Sequence, residues 1–317
     1  MISFPEDVEK AYARSKAFIR NTPLEHSPYL SQLIDGDVYL KLENIQKTGS
    51  FKFRGAISKM TSLSKLEKSN GVVTASTGNH GAACSLAMSL LGIHGKVVVP
   101  EIVHKNKVEN ILLLGGEVEY YGDDCIRAEE RAQEISNSTG ATYISPYNDP
   151  AIICGQGTIG YELHRDLPHI DSVFVSVGGG GLISGIGGYL KSMQKNGNMV
   201  GVSPKNSCVM YESLKAGEQL DLPSEDTLSD GTAGGVELGS ITFQLCQEFM
   251  DDFILVTEEE IAEGIRVGVE KHHQLIEGAA GAAIAGFMQL KDKLIGKTVV
   301  IVMCGGNISL EVLKSIL

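Results

Sequence analysis

The feature that most constrains this chain is a repeated alternation of short β-branched runs with stretches long enough for a helix. The runs occupy residues 38–42, 71–74, 96–99, 117–121, 141–144, 172–177, 199–202, 253–256 and 298–302. Strand-length apolar runs separated by helical intervals are the mark of βαβ units, so the spacing predicts an α/β fold with mostly parallel sheets. Thr257, followed by Glu258, Glu259 and Glu260, predicts a capped helix start whose acidic first turn suits the dipole. No low-complexity tract or long linker divides the chain. The four runs between Gly71 and Ser145 can pair as one compact sheet, leaving the flanking runs to build a larger one. This predicts a small domain over 69–146 inserted into a large domain formed by 1–68 and 147–317.

Composition narrows the partners. A chain of 317 residues, 43% hydrophobic, can bury a substantial core. Its net charge of -12 argues against nonspecific attraction to nucleic acid or anionic lipid, which favour basic surfaces. The start, Met1-Ile2-Ser3-Phe4-Pro5, lacks a basic segment and an apolar block, and no run approaches the ~18 apolar residues that span a bilayer. A cytoplasmic protein that acts on a small molecule is expected. Six cysteines are scattered without Cys-x-x-Cys spacing and read as reduced core residues.

Four segments carry chemistry. Lys52, in Lys47-Thr48-Gly49-Ser50-Phe51-Lys52, follows a strand and opens a helical stretch. An ammonium at a helix N-terminus faces the positive dipole end, which favours the neutral amine that Schiff-base chemistry needs. Ser76-Thr77-Gly78-Asn79-His80-Gly81 sits at a strand-to-helix turn and offers N–H and side-chain donors to a carboxylate. His80 has no spaced partner and reads as a structural or supporting group rather than a metal ligand. Gly178-Gly179-Gly180-Gly181-Leu182 again joins a strand to a helix, and its free backbone can wrap a phosphate. The run fits neither G-x-G-x-x-G nor a P-loop, which tells against a dinucleotide or nucleotide. Cys304, in Met303-Cys304-Gly305-Gly306-Asn307, ends the last strand, where open α/β sheets bind ligands.

Together and in this order, the four segments resemble the serine/threonine dehydratase and serine racemase group of fold type II pyridoxal-phosphate enzymes. The resemblance runs from about Thr22 to the C-terminus. It implies the tryptophan synthase β-like fold, with two open, mostly parallel sheets flanked by helices. It also implies that pyridoxal 5'-phosphate is held by Lys52, with Asn79 on its ring hydroxyl, Gly178, Gly179, Gly180, Gly181 and Leu182 around its phosphate, and Cys304 at its pyridine nitrogen. Ser76, Thr77, Asn79 and His80 would surround the substrate carboxylate, and Glu277 matches a family glutamate near the cofactor. Phe53-Arg54-Gly55 and Asn79-His80-Gly81 resemble the dehydratase branch rather than the related synthases. The sequence runs only to Leu317, soon after Asn307, so the regulatory domain of the feedback-controlled threonine enzymes is not expected. A homodimer is usual in the group.

Two features depart from the pattern. Metal-activated members carry a glutamate and a second acidic residue where this chain has Ser203 and Val209, so no metal is expected. Racemases of the group carry a catalytic serine at Thr77, and many dehydratases an alanine. The resemblance therefore implies an ammonia-lyase that converts a small β-hydroxy amino acid such as L-threonine or L-serine to a 2-oxo acid and ammonia. Lys52 would be its base. A thiol at Cys304 cannot stabilise a charged pyridinium as a carboxylate would, which suits rapid elimination. The alternatives are a serine racemase, a dehydratase of 3-hydroxyaspartate, a synthase, and a binding protein that keeps the pocket.

Overall fold

The computed structural model describes residues 2–102, 105–123, 125–193 and 197–317. Ten strands form two sheets: β1 Leu24–His26, β2 Asp37–Lys41, β3 Val72–Ala75, β4 Gly95–Val99, β5 Glu117–Tyr120, β6 Thr142–Tyr143, β7 Ser172–Ser176, β8 Asn198–Pro204, β9 Asp252–Val256 and β10 Thr298–Val302. The larger sheet has the order β1-β2-β10-β7-β8-β9 and the smaller β5-β4-β3-β6. All nine runs seen in the sequence are strands. The strand without a counterpart there is β1, which is three residues long, has no β-branched residue and pairs antiparallel with β2 at the edge of the sheet. β8 extends beyond its run because Ser203 and Pro204 pair with Leu255 and Val256 of β9.

Every other pairing is parallel. Parallel strands need crossovers, and these cover both faces of the larger sheet. Central β7 is accordingly buried at every position and apolar at its middle three. Its Phe174 packs edge-on against Phe287 of the helix Gly278–Leu290. Thr257 caps the helix Glu258–His272 in a full capping box with Glu260. Among the described residues no helix is long and apolar enough to cross a membrane.

The helix Lys52–Ser62 joins the two halves through its side chains. Its Phe53, Ile57 and Met60 are fully buried in one apolar cluster with Ala83, Ala87 and Val97, which belong to the smaller sheet and its first crossover helix, Asn79–Leu91. Within each sheet the parallel strands end on one edge. At these C-terminal edges the chain emerges as the segments around Ser76, Gly178 and Cys304, and just past β2 it leads through two short 3-10 turns to Lys52. Open α/β sheets bind ligands at this edge.

Candidate active site

One cleft of about 1480 Å³ is lined by all the residues singled out in the sequence for cofactor, substrate or catalysis: Lys52, Ser76, Thr77, Asn79, His80, the stretch 178–182 and Cys304. Lys52 is the first residue of its helix. Phe51, just before it, donates its N–H to the carbonyl of Cys304 at 3.0 Å, which ties the lysine segment to the end of β10. The Lys52 ammonium donates to the carbonyl of Pro146 at 3.0 Å. Burial lowers its pKa to about 8, against smaller opposing effects of Cys304, Cys84 and Glu277. A neutral amine is therefore within reach near physiological pH.

The turn after β3 opens the helix Asn79–Leu91. Ser76 accepts the Gly78 N–H on its hydroxyl at 3.2 Å, and Gly78 caps the helix without any side chain. The first N–H groups of a helix have no intrahelical partner, so this turn presents donors to the cleft. The His80 ring is committed elsewhere. Its Nε2 lies 3.0 Å from the carbonyl of Ile144, which only accepts, so this nitrogen carries the proton. Burial drives the His80 pKa down to about 3, so the ring is neutral.

Asn79 is held by Glu277, which precedes the helix Gly278–Leu290, and by Asn307, which follows β10. Its Nδ2 donates to Oε1 and Oε2 of Glu277 at 2.9 and 3.0 Å, and its Oδ1 accepts from Asn307 Nδ2 at 2.6 Å. The Asn307 backbone N–H also donates to Glu277, at 3.1 Å. Gly305 makes room for that carboxylate, because a Cβ there would lie 2.4 Å from Glu277 Oε1. Glu277 is 4% exposed, and burial raises its pKa to about 7. The Cys304 thiol, 2% exposed, is raised well above 9 by burial and stays protonated.

The glycine run starts the helix Gly181–Ser192, with Gly180 as its cap at φ +80°, a conformation that excludes most side chains. Gly179 lies flat against Tyr147, where a Cβ would meet the ring at 2.4 Å. Tyr147 and the turn Asp230–Thr232 also line the cleft, and Tyr147 Oη accepts the Glu237 N–H at 2.8 Å. No sequence motif marked these groups. Their only local signal is turn chemistry at Ser145-Pro146-Tyr147-Asn148 and Asp230-Gly231-Thr232. Ser203 donates its hydroxyl to the Val177 carbonyl at 2.6 Å, and Val209 is buried at the start of the helix Val209–Ala216.

A scan of family patterns matches residues 16–305 to the family described as pyridoxal-phosphate dependent enzymes, and the chain belongs to that family. It is 40% identical over 312 residues to an L-threonine ammonia-lyase of Thermotoga maritima, covering 98% of this chain and 77% of the relative. Among solved structures it is similar to threonine deaminase isoform 2 of Solanum lycopersicum, with a TM-score of 0.93 and 34% identity over 99% of this chain and 86% of the other. It is also similar to maize serine racemase, with a TM-score of 0.92 and 31% identity over 98% and 95% of the two chains. The fold is that of the fold type II enzymes, and pyridoxal 5'-phosphate is the cofactor. The groups in the cleft fit it chemically. A low-pKa amine suits a carbonyl, a glycine-built helix start suits a phosphate, and the Asn79 amide and a protonated thiol suit a polar ring.

Proposed function

We propose that this protein is an ammonia-lyase that converts L-threonine, and L-serine as a second substrate, to the 2-oxo acid and ammonia. The observation that carries this reading is the Lys52 amine, brought to about 8 by burial and facing the same cleft as a donor-rich helix start. When bound, pyridoxal phosphate supplies a carbonyl for the substrate amine and a conjugated ring that takes up the electron pair left at Cα. Lys52 Nζ would hold the cofactor, and its free amine would take the Cα proton of the substrate. Ser76, Thr77 and the N–H groups from Asn79 and His80 hold the substrate carboxylate. When the cofactor is bound, Asn79 would also hold its ring hydroxyl, the run 178–182 its phosphate, and the protonated Cys304 thiol would face its pyridine nitrogen. The β-hydroxyl would leave with one proton as water, and a water would then take the place of nitrogen at Cα, giving the 2-oxo acid and ammonia with no net change in water.

The charges around the cleft support a neutral β-substituent. Among the described lining residues the cationic side chains are Lys52 and Lys314, whereas Asp230, Glu277 and Glu311 are acidic. A second substrate carboxylate, as in 3-hydroxyaspartate, would meet net repulsion. A screen of 2-oxo-acid release should rank L-threonine and L-serine far above 3-hydroxyaspartate. The reverse ranking would overturn this substrate reading.

Elimination should also outpace racemisation. Inversion needs a proton donor opposite Lys52, and the group available by family likeness is the Thr77 hydroxyl. Its β-branch restricts χ1, and misplacement by ~1 Å costs about 100-fold. Serine followed by chiral chromatography and pyruvate formation should give pyruvate faster than D-serine. D-serine in excess, abolished by Thr77→Ala, would make the protein a racemase.

With Ser203 and Val209 in place of carboxylates, no hard anionic site for magnesium or calcium is built there, so activity should survive EDTA. Residues 69–146 are read as a small domain that closes over the substrate, a division supported by their separate four-stranded sheet. A homodimer is inferred from family likeness, and a cytoplasmic location is proposed alongside it. Cell fractionation and sedimentation velocity check both points.

A further inference from the structure

Behind the cleft lies a second cluster of charged groups that takes no part in the chemistry described above. Arg54, Lys41, Glu43 and Glu162 all have 0% side-chain exposure. Arg54 makes two forked pairs. Its Nε and Nη2 donate to Oε2 and Oε1 of Glu43, and its Nη1 and Nη2 donate to Oε1 and Oε2 of Glu162, all at 2.8 Å. Nη1 also reaches Thr158 Oγ1 at 3.1 Å, and Nη2 reaches Thr22 Oγ1 at 3.2 Å. Lys41 completes the balance of two cations and two anions by donating to Glu162 Oε2 at 2.5 Å and to the Thr22 carbonyl at 2.7 Å.

The partners come from different elements. Lys41 ends β2, Glu43 opens the 3-10 turn Glu43–Ile45, and Glu162 and Thr158 lie on the helix Pro150–Asp166. Arg54 sits two residues after Lys52 on the helix Lys52–Ser62. Two residues on a helix are about 200° apart, so with Arg54 fixed in the cage Lys52 is turned to the opposite side, toward the cleft. A guanidinium gripped by two carboxylates in two forks permits one rotation of this helix about its axis. A single-point contact would not.

We propose that Arg54, through Glu43 and Glu162, is a positioning residue for the reaction, setting the rotation of the lysine helix and with it the place of the Lys52 amine. The inference rests on the reading that Lys52 holds the cofactor. Arg54→Lys keeps the charge and loses the fork. Thr158→Val removes one hydroxyl from the cage and leaves its charges in balance.

The experiment uses holoenzyme of the wild type and both variants, with folding checked by circular dichroism. It compares kcat with KM, and the pH dependence of cofactor capture by the stripped proteins. In Arg54→Lys, kcat should fall about 10- to 100-fold at saturating cofactor with KM within about 3-fold, the scale of a displacement near 1 Å. The pH midpoint of cofactor capture should move up from about 8 as the amine leaves its dry position. Thr158→Val should shift both in the same direction by less. Folded Arg54→Lys with wild-type kcat and midpoint would overturn the proposal, and if that variant does not fold, unchanged values in Thr158→Val would do so. Borohydride reduction followed by peptide mapping separates the two readings. A label away from Lys52 in wild type removes the assignment of the lysine, whereas a label on Lys52 with unchanged variants removes only the role of Arg54.

Discussion

The two charged regions on either side of the lysine helix are both buried, yet Arg54 and Glu43 in one behave in the opposite way to Lys52 and Glu277 in the other. In the cage, each charge meets an opposite one within hydrogen-bond distance. Arg54 is held further toward its charged form, because the two carboxylates outweigh the cost of burial. Glu43 is likewise held below the usual carboxylate range by Arg54, again against burial, whereas at Lys41 burial outweighs Glu162 and Glu43 and lowers the pKa. On the cleft side the groups have neutral hydrogen-bond partners but, among the described residues, no counter-charge within hydrogen-bond distance, and burial dominates. The Lys52 pKa falls to about 8, that of Glu277 rises to about 7, and that of His80 falls to about 3. Burial alone therefore does not make a group reactive. The difference lies in whether the chain supplies a counter-charge, and beside the substrate it largely withholds one.

The largest effect expected from this contrast is at Lys52. On the proposed roles of Lys52 as cofactor attachment and base, Lys52→Ala should lower kcat by about 10⁴-fold while the melting curve stays close to wild type. Steady-state rates with calorimetry check both halves of the statement, and a large loss of stability would mean that Lys52 belongs to the structural side. The opposite outcome is expected for Glu162→Ala. It leaves Arg54 and Lys41 buried with one carboxylate between them, which should cost about 3–5 kcal/mol in a denaturant melt. A loss below about 1 kcal/mol would show that water enters the cage and that the two regions are less distinct than their geometry indicates.

Two smaller effects test the cleft side through pH. Cofactor capture by the stripped protein needs the neutral amine, so its rate should rise about tenfold per pH unit and level off near pH 8 rather than above 10. Glu277 has its folded-state pKa above its unfolded value of 4.5. Its protonation favours the folded state fully below 4.5, and that contribution is lost as pH rises through about 7. Glu277→Gln should therefore flatten the stability profile between those limits, gaining relative to wild type toward pH 8. The gain should approach about 1.4 kcal/mol for every pH unit that separates the folded and unfolded titrations. Parallel wild-type and variant profiles would mean that Asn79 and Asn307 satisfy the carboxylate better than its burial suggests.

The sequence carried the cleft side more fully than the cage. Lys52, the turn at Ser76, the glycine run and Cys304 each follow a strand, and in a parallel sheet that alone brings them to one edge. Local chemistry and strand order were enough. The cage had no such signal: Arg54 drew notice only within Phe53-Arg54-Gly55, and no local pattern marks Lys41, Glu43 and Glu162 as charges that the fold buries. Asn307 and Asp230 were missed as site residues for a related reason. Asn307 matters through contacts with Asn79 and Thr48, which lie 228 and 259 residues away, and no local pattern encodes a partner at that range. β1 escaped because three residues with no β-branch leave nothing periodic to detect.

Phe53, Ile57 and Met60 carry the lysine helix into the apolar cluster of the smaller sheet, so the colour of the bound cofactor can serve as a gauge of that sheet. A substitution that loosens this cluster, even far from the cleft, would disturb the seat of Lys52 and alter the visible absorbance. Absorbance at a single visible wavelength could then sort libraries of surface and core variants for integrity of the smaller sheet, with no substrate added.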